Sequence, residues 1–139
     1  MKNTLIALML LGGIMVFSRC DKDDNDNGNE KFQLLTGHTW LADSLLADGV
    51  DASGPGMVLE NFRGEAEFRE DGTGTFGEYS GNWRFQMDQT QIVITTDAHP
   101  IPITANIIEL TETSFKITTG FPDMVTGGVM AIRMTFIPK

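Results

Sequence analysis

Two histidines and a few closely spaced acids are the residues of this chain whose types could do chemistry. Asp97 and His99 sit two residues apart and could give a metal two ligands, but no third lies at recognisable spacing. The other histidine, His38, falls at the start of the first predicted strand, at the opposite end from His99. A strand of about nine residues at about 3.3 Å each separates the two by roughly 30 Å. Glu65 and Glu67 share the outer face of a strand and read as a solvated face, not as an acid and a base. Asp23, Asn25, Asn27 and Gly28 match the first half of a calcium loop, but its twelfth position falls on Leu34, which has no carboxylate to offer. The residues therefore predict no metal, no cofactor and no enzyme.

The elements that position these groups are strands. From Gly64 to Met87, Ala66 and Phe68 alternate with Glu65, Glu67 and Arg69, and Trp83, Phe85 and Met87 alternate with Asn82, Arg84 and Gln86. That period of two marks strands with one buried face. Asp71-Gly72 supplies the turn residues of a two-residue hairpin, and Ser80-Gly81 marks a second turn. Further strands are expected near 38–46, 91–96, 102–110, 114–120 and 128–137, and no helical period competes after residue 32. Eight short strands with turn signals between them predict an all-β fold, a closed barrel or a sandwich. The 139 residues suit one domain, expected over 32–139. The formal charge of −9 argues against nucleic-acid binding, which needs a basic face.

The first segment reads as an address. Lys2 precedes an apolar run from Leu5 to Phe17, long enough for a signal peptide and too short for a bilayer span. The run ends at Ser18-Arg19-Cys20, which resembles the lipobox of bacterial lipoproteins and implies lipid, such as palmitate, on Cys20. Cleavage after Arg19 removes two positive charges, Lys2 and Arg19, and leaves a formal −11. Asp21 to Glu30 has no apolar residue, so residues 20–31 are expected to be a flexible acidic spacer. Cys20-Asp21-Lys22-Asp23-Asp24 also resembles the export signal of surface-exposed lipoproteins of Gram-negative bacteria. That implies an outer-membrane anchor with the domain facing the cell exterior.

The domain itself resembles the lipocalin-like domains of small bacterial lipoproteins. Thr36-Gly37-His38-Thr39-Trp40, the run Phe68 to Gly74, Gly81-Asn82-Trp83-Arg84-Phe85 and Ile107-Ile108-Glu109-Leu110-Thr111 carry the likeness. It implies an eight-stranded up-and-down barrel or a half-open version of one, and carries over no binding residue.

Loop lengths then place function. In an up-and-down barrel every second connection lies at the same end. Connections near 71–72, 88–90 and 111–113 are tight, whereas those near 47–62, 97–101 and 121–127 are long and belong to the other end. Met57, Phe62, His99, Phe121, Met124 and Val125 lie on the long connections and are the candidate ligand- or partner-binding residues. Two readings follow. A non-catalytic binding module would hold a small hydrophobic ligand in a cavity beneath Phe121 and Met124. An accessory protein of a surface complex would have a barrel filled by Trp40, Phe68, Phe76, Trp83 and Phe85, and would offer its loop surface to a protein partner.

Overall fold

A computed structural model describes residues 25–139. Helix α1 (Asn25–Thr36) comes first, then strand β1 (Thr39–Ala47) and the two-residue β2 (Val50–Asp51). A 3-10 turn (Glu60–Phe62) precedes β3 (Glu65–Phe68), β4 (Thr73–Phe76), β5 (Tyr79–Gln86), β6 (Gln91–Thr96), β7 (Ile103–Leu110), β8 (Phe115–Pro122) and β9 (Val129–Pro138). From β3 to β9 each strand pairs antiparallel with the next, and β1 pairs with both β3 and β9. The result is a closed eight-stranded up-and-down barrel, with β2 a short hairpin partner at the end of β1.

Alternation sends one side of each strand inward, and two bulges adjust it. In β1 the register shifts between Ala42 and Ser44, so inward Trp40 and Ala42 are followed by Leu45 and Ala47. In β7 a shift between Ile107 and Glu109 leaves Ile108 outside and returns Leu110 to the interior. The interior is aromatic: Phe115 packs on Trp40 at 5.5 Å, Phe68 at 5.7 Å and Phe136 at 5.5 Å between ring centroids. Phe68 in turn meets Phe76 and Trp83.

Two turns differ from the expected ones. Around Asp71 only Gly72 has positive φ, 86°, and Gly72 N–H donates to Arg69 O. This is a three-residue loop ending in a left-handed glycine, with Asp71 Oδ1 accepting from Thr73 N–H and Oγ1 instead of adopting positive φ itself. The next turn is Gly77-Glu78, not Ser80-Gly81: Phe76 faces Tyr79 and φ is positive at Gly77 alone, 62°. Gly81 lies inside β5, where a Cβ would collide with the carbonyl oxygen of Thr95 on β6. Met87 is also outside its expected strand. It opens a turn in which Met87, Asp88 and Gln89 all have φ of 52° to 63° and its side chain is exposed. Left-handed backbone costs such residues about 1–2 kcal/mol each.

The acidic stretch expected as a spacer is helical from Asn25 onward. Few apolar residues mark it, because only Phe32 and Leu35 need to dock. Leu35 is fully buried, and Phe32 packs on Trp83 at 5.8 Å. The orphan carbonyl of Leu35 near the helix end accepts from the indole Nε1 of Trp40 at 3.1 Å. Lys31 Nζ donates to Gln89 O, and Gln89 Nε2 donates to Gly28 O, which ties the helix to the strained turn. So α1 closes the tight-turn end of the barrel. Asn25, Asn27 and Gly28, three of the calcium-loop positions, lie within this helix, and Asp23 lies outside the described residues.

If close strand approach is why residue 81 is glycine, Gly81→Ala costs about 2–3 kcal/mol or more, because backbone and not a flexible side chain must move. Equilibrium urea unfolding checks this, and a loss under ~0.5 kcal/mol contradicts it.

Candidate functional site

Four connections meet at the end opposite α1: Asp48–Gly64, Gly77-Glu78, Asp97–Pro102 and Asp123–Gly128. The three connections at the α1 end, 69–72, 87–90 and 111–114, are all short, and Gly77-Glu78 is the one tight turn at the mouth, so the asymmetry read from loop lengths holds with that exception. The first of these connections is ordered. Ala52 N–H donates to Leu45 O and Leu59 N–H to Ala52 O, and Ala52, Leu59 and Phe62 are all buried. Asp51 accepts from Ser53 N–H and Oγ, and Glu60 Oε2 accepts from Gly56 N–H. The fourth connection is built on Asp123, whose carboxylate accepts from Val125 N–H, Thr126 N–H and Thr126 Oγ1. Hydrogen bonds from Thr126 and Val125 hold the Asp123 carboxyl below its ordinary range, and those from Ser53 do the same for Asp51.

The six candidate residues divide into two sets. Phe62, His99 and Phe121 turn inward and close the barrel mouth. The His99 imidazole stacks on Phe62 at 6.3 Å and meets Tyr79 at 5.0 Å and Phe121 at 6.2 Å edge-on. Phe62 also meets Tyr79, at 4.9 Å. Met57, Met124 and Val125 face solvent, with Met124 92% and Val125 93% exposed. Loop position alone did not distinguish the two sets. Tyr79 was missed because the turn before it was read three residues late; Gly77 was the signal that places it. Val50, Ile101 and Val129, also exposed near this end, were not singled out either.

The interior leaves little room. Beneath the closing rings lies a narrow apolar space of about 20 Å³, bordered by Phe62, Phe76, Ile94, Ile103, Ile117 and Phe136. A larger, open and polar cleft of about 480 Å³ runs outside the barrel along β1, beside Asp43, Ser44, Asp51, Ser53 and Arg63. Two buried side-chain atoms among the described residues lack a hydrogen-bond partner, Thr96 Oγ1 and His99 Nε2. His38 packs on Trp40 beside α1, at the other end from His99. Among the described residues no three His, Cys, Asp or Glu side chains gather as a metal site, and no helix is long and apolar enough to cross a membrane. Cys20, the lipidation residue, lies outside the described residues.

Comparison of the chain with protein-family models and with curated proteins gives no match.

His99 closes the mouth as a flat ring, and its Nε2 gains no hydrogen bond from being a nitrogen. His99→Phe therefore leaves stability unchanged or raises it by up to ~1 kcal/mol, whereas His99→Ala lowers it by about 1–2 kcal/mol. Thermal unfolding of both variants checks this; His99→Phe as damaging as His99→Ala contradicts it.

Proposed function

We propose that this chain is a lipid-anchored, non-catalytic protein of the bacterial outer surface that docks another protein through the long-loop end of a filled barrel. One observation carries the reading: the apolar pocket beneath the closing rings measures about 20 Å³, against roughly 300–1,000 Å³ for a small-molecule pocket. The apolar side chains that the barrel does not use are concentrated outside it, on the long connections. Exposed apolar groups gathered at one end mark interaction surfaces more often than they mark chance. This supports the accessory, filled-barrel reading over a calyx for a hydrophobic ligand.

The lipobox-like Ser18-Arg19-Cys20 supports the anchor, and the likeness to lipocalin-like lipoprotein domains supports the scaffold role. With lipid on Cys20, five residues before α1, the membrane lies on the α1 side and the long loops face outward. Among the described residues the connections at the outward end carry acids and a single base, Arg63, which disfavours nucleic acid. The histidines stand at opposite ends, which supports a role without catalysis.

Titration of the purified protein with palmitate and with retinol, followed by quenching of Trp40 and Trp83 fluorescence, is expected to show no saturable site. Stoichiometric quenching by either would overturn the filled-barrel reading. In the host, an alkyne-palmitate label is expected on the wild type and absent from Cys20→Ser; label retained by that variant would remove the anchor.

A further inference from the structure

The geometry points to a partner segment that is both apolar and basic, seated across the arc formed by β7, β8, β9 and the β1–β2 hairpin. This rests on the reading that the long-loop end is the working surface, and it names the chemistry of what binds there.

The arc is continuous. Asp48 N–H donates to Ala131 O at 2.8 Å, and Asp48 Oδ1 accepts from Ala131 N–H at 2.9 Å, which pins the hairpin tip to the start of β9. Val129 lies opposite Pro122, so the tip of the β8–β9 loop rises beside it. Ile101 lies on the connection that enters β7, the strand paired with β8. Val50, Val129, Met124, Val125 and Ile101 therefore sit on neighbouring elements around one side of the mouth, all exposed. Among the described residues nothing covers these side chains.

Charge narrows the occupant. The connections at this end carry six acids, Asp48, Asp51, Glu60, Glu78, Asp97 and Asp123, and one base, Arg63. Several of these carboxylates are fixed by the loops themselves, so the negative potential is part of the loop architecture. A second copy would bring six acids against six and is repelled. An anionic lipid surface is repelled for the same reason. A protein segment with apolar side chains flanked by Lys or Arg satisfies both the exposed arc and the field around it.

The test places the photo-crosslinking residue p-benzoylphenylalanine at Val125, and separately at Met57, in the full chain expressed by its own host. Irradiated cells are then examined for the sequence of the crosslinked peptide. The expected product is a different protein, joined through a segment with apolar residues and at least two Lys or Arg nearby. Its yield is expected to fall about 10-fold with Asp51→Lys and Asp97→Lys together, and to fall as salt is raised on the wild type. The salt series needs no folded variant. A protein joined through an acidic or uncharged segment, or a yield indifferent to salt and to charge reversal, overturns the inference and leaves the docking function standing. So does a crosslink to lipid or to a second copy, for the basic partner. No protein crosslink from either position overturns the docking function itself.

Discussion

The structure depends on β1 being hydrogen-bonded along both of its edges, to β3 on one side and β9 on the other. That double pairing closes the sheet and removes the open edges that an eight-stranded ribbon would expose. It also fixes the interior, because an eight-stranded barrel is only just wide enough for its own side chains. Trp40 sits on the closing strand, fully buried, with its ring against Phe115 and its indole N–H on the end of α1. One residue thus links closure, core and the plug at the base.

With so little space inside, the interior has no room for a typical small-molecule pocket. The two ends then differ in kind. At the base, α1 commits its apolar groups to the core, with Phe32 on Trp83 and Leu35 fully buried, and Met87 is the exposed exception among the short turns. At the mouth, Phe62, Tyr79, His99 and Phe121 finish the seal, and the remaining apolar residues project from loops held by their own carboxylates. A rigid loop that keeps Met124 and Val125 in water loses little further entropy when a partner covers them. Order in the loops and exposure at their tips are together what a docking surface requires.

Much of this was legible in the residues. The alternation in 64–87 and 128–137 gave strands because one buried face imposes a period of two, and loop lengths gave the two unlike ends because up-and-down order alternates them. Where reading failed, tertiary contacts decided. Helix α1 has only Phe32, Leu34 and Leu35 near its end to mark it, and its support comes from Trp40, Gln89 and Trp83. Gly81 looked like a turn residue, but it is glycine because β6 passes too close for a side chain. That misplacement hid Tyr79 from the mouth. Phe62 and Met57 share a loop and a character, and only the folded path shows that one is core and the other surface.

A filled barrel leaves the proposed binding role to the loop rim. Native mass spectrometry of the protein recovered from its own host under mild conditions tests this most directly. The expected result is the mass of the polypeptide, with the lipid proposed on Cys20, and nothing held inside. A reproducible small-molecule adduct that is lost on Phe121→Ala or His99→Ala would contradict it and place the function inside the barrel.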